Sequence, residues 1–321
     1  MRQSNLRILG SIFALCASAV ARQHPVPDDA VQGIVKAFDQ HAVVAIAEYH
    51  QVQQAGDFYN SLVRDPAFQG KVNDIVIEFA SRRSQPIIDR YVSGEDVSIL
   101  NLQHAWRDST KVMSWESPIY ANFLAAVREV NKNLPAARRL RVLAGDSPIE
   151  WDKIKTNADW GAFQPNDNSF FWVIVHEVLQ KHRRALVILG SNHLTKDGDA
   201  DGFDDTSTLV EKQFPNSMYV ALMYTERLSG VQEQLSEWPV PSLVPIQGTR
   251  LGAVSFGGRS LEKAADALLY LGSGSSLRIA QPDFDVLRGD DAYMKEVARR
   301  FEIVYGCKFD RSLLGKGRPC Q

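Results

Sequence analysis

The chain has 321 residues, of which 45% are hydrophobic and 23% are charged, a balance typical of a globular protein with a large core. Its formal net charge is −2 and no run is rich in Lys or Arg, which excludes the nucleic-acid-binding class. Beyond the first 21 residues, no uncharged apolar stretch is long enough to predict a transmembrane segment.

The first 21 residues predict a secretory signal peptide rather than part of the fold. Arg2 and Arg7 give a basic start, residues 8–20 are mostly apolar, and Ala19-Val20-Ala21 has the A-x-A pattern of a cleavage site. We therefore expect an exported protein, periplasmic or secreted, with one folded domain over residues 22–321.

The order of the predicted elements is that of an α/β protein. Apolar runs rich in β-branched residues predict buried strands at residues 42–47, 74–79, 140–145, 185–190, 218–224 and 267–271. Periodic and capped segments predict helices at residues 28–40, 55–64, 86–92, 98–109, 118–131, 168–182, 207–214 and 290–303. Strands separated by helices predict a central, mostly parallel β-sheet flanked by helices. The Pro- and Gly-rich segment 239–257 is left unassigned.

Acidic and imidazole side chains follow the predicted strands at the points where the strands end. Glu48 and His50 follow the first strand, Glu78 ends the second, and His193 follows the fourth. In open parallel sheets, ligands bind just beyond the carboxyl ends of the strands, so we expect these four side chains to converge. Glu48 and His50 point the same way on an extended chain. Glu78 reaches His50 if the first two strands are neighbours, about 5 Å apart.

This set of residues supports two kinds of hydrolysis. In the first, His50 with a Glu partner is a general base that activates water for attack on an ester, lactone or amide, while His193 stabilises the oxyanion. In the second, Glu48, His50, Glu78 and His193 bind a divalent metal such as Zn, Mn or Co. Either chemistry implies a small-molecule or peptide substrate. A scaffold for protein interaction, without turnover, is a further alternative.

Four other residues are weaker candidates for the same site. Asp146 ends the third strand and is a candidate catalytic acid, although a turn cap is an equal alternative. Trp106 and Arg107 are candidates for substrate binding, but an Arg close to an Asp also fits a surface ion pair. Asn192, directly before His193, is assigned to substrate binding.

The cysteines predict a disulfide near the C-terminus. Cys307 and Cys320 remain after removal of the signal peptide, and close cysteines in an exported protein favour a bridge. Closing this short loop would contribute about 3 kcal/mol in the chain-entropy model.

The acidic loop at residues 197–202 matches the first half of a calcium-binding loop. Thr208 occupies the twelfth position, where such loops need a bidentate Glu. A solvated loop is therefore the preferred interpretation, with calcium binding as the alternative.

At these residues the chain resembles the superfamily that joins erythromycin-esterase-like hydrolases, Tiki-type metalloproteases and ChaN-like haem-binding lipoproteins. Its pattern is a G-E-x-H element after the first strand, an acid ending the second and a later G-x-x-H element. The corresponding residues here are Ala47-Glu48-Tyr49-His50, Glu78 and Gly190-Ser191-Asn192-His193. The similarity runs from about residue 43 to beyond residue 271 and is greatest to uncharacterised exported bacterial members.

The resemblance implies an erythromycin-esterase/ChaN-like α/β fold, with His50 as base or ligand, Glu78 as its partner and His193 as a second site residue. Ala47 and Gln51 stand where members of the superfamily carry Gly, which argues against macrolide esterase activity in particular. The ChaN-like branch implies an alternative function, a haem- or ligand-binding protein without turnover, because histidine can ligate haem iron.

Overall fold

The computed structural model describes residues 22–163, 168–196, 205–225, 228, 235, 237–317 and 319–320. The predicted signal peptide and the acidic loop at residues 197–202 lie outside the described residues. Across the ranges that the structure describes, the helices are too short or too polar to cross a membrane.

The predicted apolar runs form strands of one sheet. They are apolar throughout because the sheet is buried on both faces. The strands in chain order are β1 (Asp28–Asp29), β2 (Val43–Glu48), β3 (Asp74–Ser81), β4 (Arg141–Asp146), β5 (Ala185–Gly190), β6 (Met218–Met223), β7 (Ser242–Pro245), β8 (Ser255–Phe256), β9 (Arg259–Ser260) and β10 (Ala267–Tyr270). Over the described residues the sheet has the order β1-β7-β10-β6-β2-β5-β3-β4, while β8 and β9 form a separate ribbon.

All six predicted strands are confirmed, each within two residues of its predicted bounds. They are β2, β3, β4, β5, β6 and β10, and they run parallel to their neighbours among these six. The predicted mostly parallel sheet is therefore confirmed. The antiparallel strand β7 lies within the unassigned Pro- and Gly-rich segment, where its apolar pair Leu243-Val244 is too short to be recognised between Ser242 and Pro245.

Helices cover both faces of the sheet. Their bounds are α1 (Ala30–Ala37), α2 (Gln53–Arg64), α3 (Pro66–Lys71), α4 (Gln85–Ser93), α5 (Ile99–Leu102), α6 (His104–Arg107), α7 (Pro118–Asn133), α8 (Asn157–Phe163), α9 (Asn168–Val173), α10 (Thr206–Gln213), α11 (Leu261–Ala264), α12 (Phe284–Gly289) and α13 (Asp291–Tyr305). Helices α1, α2, α4 and α7 share one apolar cluster with Val44 and Ile46 of β2. Helices α9 and α10 share a second cluster with Val43 and Ala45, because alternate residues of a strand face opposite sides.

Two predicted helices are wrong in detail. The segment 98–109 forms two short helices, α5 and α6, rather than one. The segment 168–182 begins as α9, continues as a π-turn over Ile174–Val178 and ends as a 3₁₀ turn before His182, whose φ is 52°. Apolar periodicity cannot reveal these changes, since a single-turn π-bulge leaves most of the buried face in place.

Side-chain amides satisfy the outer edge of β4, the last strand of the sheet. Asn131 of α7 donates to the Leu140 carbonyl and accepts from its N–H, both at 2.9 Å. Gln85 of α4 donates to the Val142 carbonyl at 2.7 Å and accepts from Ala144 N–H at 2.8 Å. Because unpaired edge groups are templates for further strands, these amides protect the sheet from strand addition.

The predicted disulfide joins Cys307 and Cys320, whose Cα atoms are 5.6 Å apart. It closes the segment that follows α13, where Phe309 also pairs with Cys320 through a β-bridge. The bridge therefore fixes the C-terminal segment beside α13, whose Met294 and Val297 belong to a third apolar cluster.

Asp74 is a fully buried carboxylate at the start of β3 and gives a test of this edge of the sheet. It accepts from Arg141 Nε at 2.7 Å and from Arg183 Nε at 2.6 Å. We expect Asp74→Asn to lower the free energy of unfolding by about 2 kcal/mol, measured by urea denaturation. This is less than the ~3–5 kcal/mol of a fully buried pair, because the two Arg side chains are 38% and 31% exposed. In the control Asp96→Asn, at an exposed position, the free energy of unfolding should change by less than about 0.5 kcal/mol. Equal effects of the two substitutions would contradict the stabilising role of the Asp74 ion pairs.

Candidate active site

The carboxyl ends of β2, β3 and β5 open into a cavity of about 540 Å³, here called the central cavity. Glu48 is the last residue of β2, Glu78 lies near the end of β3, and His50 and His193 follow β2 and β5 on short connections. All four line the cavity. The structure thus brings together the four residues that the strand ends predict.

Gly190, the last residue of β5, allows His50 and Glu78 to meet across an intervening strand. The condition set for this contact, that β2 and β3 are neighbours, is not met, because β5 lies between them. Two strand spacings separate β2 from β3, which amounts to roughly 10 Å. A Cβ at Gly190 would lie 2.8 Å from His50 Cε1 and 3.3 Å from Glu78 Oε2. The missing side chain therefore leaves room for His50 Nε2 to approach Glu78 Oε1 to 3.9 Å.

Glu48 is a buried carboxylate that orients His50. It continues the row of Val44 and Ile46, which faces α2. Its Oε2 accepts from the Tyr59 hydroxyl of α2, and its Oε1 accepts from His50 Nδ1, both at 2.8 Å. Because a carboxylate can only accept, Nδ1 carries the proton and Nε2 is left as the basic nitrogen of the neutral ring.

His50 has the electrostatic surroundings of a strengthened base. Burial lowers its pKa, but the hydrogen bond to Glu48 and the negative charges of Glu48 and Glu78 outweigh burial, so the pKa is raised above its ordinary value. The side chain is 38% exposed, which makes the ring accessible from the cavity. Trp115 packs edge-on against the imidazole at 4.7 Å between ring centroids.

Glu78 is the second buried carboxylate of the cavity, and it stays ionised. Burial raises its pKa, but the contact with His193, the charges of both histidines and the Gly190 N–H lower it to about 2. Oε2 accepts from Gly190 N–H at 2.6 Å, and Oε1 lies 3.4 Å from His193 Nε2. Oε1 therefore faces the Nε2 atoms of both histidines.

The cavity is also lined by Gln51, which the sequence marked only as a departure from the resemblance, and by Lys111 and Trp115, which it did not mark. Gln51 has a left-handed φ of 65°, its N–H donates to the Tyr120 hydroxyl, and its side-chain amide donates to the Ser114 carbonyl. This conformation is one that Gly adopts without strain and that a Gln rarely adopts. Trp115 and Lys111 come from the connection before α7. No motif marks this connection, so the sequence offered no signal for them.

The mouth of the cavity combines apolar and charged groups. Tyr49 and Ile279 line it and are each 44% exposed. Asn192, predicted to bind substrate, is also at the mouth. The ammonium of Lys111 makes no ion pair within the described ranges. An organic substrate entering here would meet both an apolar surface and a cation.

Three predicted site residues lie outside the central cavity. Asp146 is buried and accepts from the backbone N–H and the hydroxyl of Thr110, at 2.6 and 2.7 Å, and burial raises its pKa to about 6. Arg107 forms ion pairs with Glu116 and Asp290 and stacks over Tyr293. Trp106 is buried in the apolar cluster on the α2 face. The structure thus places these three side chains in hydrogen bonds, ion pairs and packing contacts away from the central cavity.

The predicted metal ligands contact one another directly, with Glu78 Oε1 facing His50 Nε2 at 3.9 Å and His193 Nε2 at 3.4 Å. Glu48 uses both oxygens, for His50 and Tyr59, and Glu78 uses Oε2 for Gly190. In the part of the chain that the structure describes, three or more His, Cys, Asp or Glu side chains nowhere form a group that could hold a metal ion. The chemistry below is derived from these side chains alone.

Solved structures identify the fold, whereas protein-family models and curated protein sequences give no match. A Bacillus cereus protein has a TM-score of 0.57 at 10% identity, covering 80% of this chain and 97% of that one. A succinoglycan biosynthesis protein has a TM-score of 0.57 at 8% identity, covering 78% and 94%. A mutant of the erythromycin esterase EreC in its open conformation has a TM-score of 0.55 at 9% identity, covering 78% and 94%. The chain therefore has the erythromycin-esterase-like fold that the resemblance predicted.

Replacing Gly190 with Ala tests whether the absence of a side chain at this position raises the pKa of His50. We expect Gly190→Ala to push the imidazole away from Glu78 and to lower the pKa of His50, because the charge of Glu78 helps to raise it. An NMR titration, with the His50 signal assigned by its loss in His50→Ala, measures this pKa. In the control Gly161→Ala, the new methyl meets nothing within 4 Å. A His50 pKa that stays the same in both variants would contradict this role.

Proposed function

We propose that the chain is an exported hydrolase in which His50 activates water for attack on an ester, lactone or amide carbonyl. One observation carries the proposal: the chain of contacts from Tyr59 through Glu48 to His50 leaves Nε2 as a strengthened base facing the central cavity. The fold supports the reaction class, since EreC, which shares it, is an erythromycin esterase. The disulfide and the predicted signal peptide support export.

The reaction is written in two steps. Neutral His50 takes a proton from water at Nε2 while the water oxygen bonds to the carbonyl carbon, giving a tetrahedral oxyanion. The His50 imidazolium, stabilised by Glu48 and Glu78, then gives this proton to the leaving oxygen or nitrogen as its bond to carbon breaks. His193, held next to Glu78, donates a hydrogen bond to the oxyanion.

The pH dependence follows from the raised pKa of His50. A base must be neutral, so we expect kcat/KM to rise with pH and to level off above a pKa higher than 6.5. Glu48→Gln removes the main influence that raises this pKa and leaves burial, which lowers it. The rise of kcat/KM should therefore move to lower pH in this variant. Its kcat should fall by about 10²-fold or more, because the His50 imidazolium loses the carboxylate that stabilises it. A pH–rate profile unchanged in Glu48→Gln would contradict the role of Glu48.

A panel of p-nitrophenyl esters, aliphatic lactones and aryl amides tests the reaction itself. We expect the wild type to turn over at least one of these classes after dialysis against EDTA, and His50→Ala to lower kcat/KM by about 10³-fold. The control His104→Ala, an exposed histidine paired with Asp108, should keep full activity. Turnover that survives His50→Ala would overturn the proposal.

Two measurements separate the alternatives. Elemental mass spectrometry that finds stoichiometric Zn, Mn or Co in the wild type, but not in His50→Ala/His193→Ala, would replace the metal-free mechanism with a metal-assisted one. A shifted Soret band on haemin titration, lost in the same variant and unaccompanied by turnover, would replace the hydrolase with a haem-binding protein.

A further inference from the structure

A second cavity, here called the edge cleft, runs along the outer edge of β4 between α4 and α9. Its volume is about 510 Å³, close to that of the central cavity, and its lining includes Arg82, Gln85, Arg139, Leu143, Trp172 and Val173. None of its lining residues lines the central cavity. The proposed hydrolysis therefore gives this cleft no role.

Arg82 presents a cation with open hydrogen-bonding capacity to the edge cleft. Its guanidinium lies 4.0 Å from the ring centroid of Trp172, which is 39% exposed. Within the ranges that the structure describes, Arg82 makes no ion pair. Burial lowers its pKa, with Glu177 acting in the opposite direction, yet an arginine remains protonated at neutral pH. Stacking on the indole holds the guanidinium plane and leaves its N–H edge free to bind an anion.

The lining carries three arginines against two carboxylates, Asp89 and Glu177, which leaves positive charge available. Asp89 accepts from the side-chain amide of Gln85 at 2.8 Å. Arg141 is already paired with Asp74 and Glu177, and Glu177 is also bound by Lys181 at 2.6 Å. Arg139 keeps a buried Nε without a hydrogen-bond partner among the described residues, while its NH1 donates to a backbone carbonyl at 3.3 Å. Buried donors normally find acceptors, so the unpartnered Nε also favours an anionic guest.

The rest of the lining indicates that the guest is an organic molecule rather than a peptide strand. Gln85 already occupies the outward groups of Val142 and Ala144, so an added strand could not pair with them. Leu143 and Val173, both largely buried, form an apolar floor next to the arginines. A small molecule with one anionic end and one apolar end matches this combination.

We propose that the edge cleft binds a small organic anion, a carboxylate or a phosphate monoester, whose charged group is held by Arg82 and whose apolar body lies over Leu143 and Val173. Both anions accept two parallel hydrogen bonds from a guanidinium. The site is separate from the hydrolytic centre and does not depend on it.

Calorimetric titration of the wild type with 3-phenylpropionate and with phenyl phosphate tests the proposal and separates the two anions. We expect saturable binding of at least one, and no saturable binding of the neutral control 3-phenylpropanol. Arg82→Gln should weaken binding about tenfold or more, because a charge-assisted bidentate contact is lost. Trp172→Leu should weaken it too, by releasing the guanidinium plane. The matched control Arg90→Gln, on α4 and paired with Glu95, should bind as the wild type does.

Variants of the central cavity show which of the two cavities binds the anion. Binding that is unchanged in Lys111→Gln and His50→Ala but weakened in Arg82→Gln supports the edge cleft. Three results would overturn the proposal: no saturable binding of either anion to the wild type, equal binding of 3-phenylpropanol, or loss of binding in Lys111→Gln with Arg82→Gln unchanged. Circular dichroism of each variant establishes that a loss of binding is not a loss of fold.

Discussion

The carboxylate of Glu48, buried at the end of β2, sets the chemistry of the central cavity. Placing a charge in the interior is unfavourable unless the charge is paired and hydrogen-bonded. Here Tyr59 and His50 donate to its two oxygens, so the carboxylate is satisfied only when His50 carries a proton on Nδ1. The same contact fixes the ring orientation and its basic atom. The direction of Glu48 follows from the strand itself, because alternate residues of β2 face α2.

Sequence patterns predicted the strands and the residues at their ends, but not the order of the strands. Buried parallel strands are recognisable as short apolar runs, and their ends lie at a common edge whatever their order. The order depends on how each helix crosses the sheet, which no local pattern records. The insertion of β5 between β2 and β3 was therefore missed, along with the role of Gly190. The predicted convergence nevertheless occurs, because Glu78 and His50 meet over Gly190, a residue without a side chain.

Two predicted site residues lie outside the central cavity and contact partners that are distant in sequence. Arg107 looked available for substrate, but it pairs with Asp290, 183 positions away. Asp146 was an equal candidate for a catalytic acid and for a turn cap, and its oxygens accept from Thr110, 36 positions earlier. Tyr59, conversely, gave no sign of a role because its helix looks like an ordinary amphipathic one. Side chains of these types acquire a function from their neighbours, which only the tertiary structure supplies.

The amides that close β4 have a consequence for how the protein tolerates its surroundings. Many proteins guard a sheet edge with charged side chains, whose repulsion weakens with added salt or with a change of pH. Asn131 and Gln85 instead occupy the edge groups with neutral amides that do not titrate. At the opposite edge, β1 is only two residues long. Protection of β4 against intermolecular strand pairing is therefore independent of ionic strength and acidity.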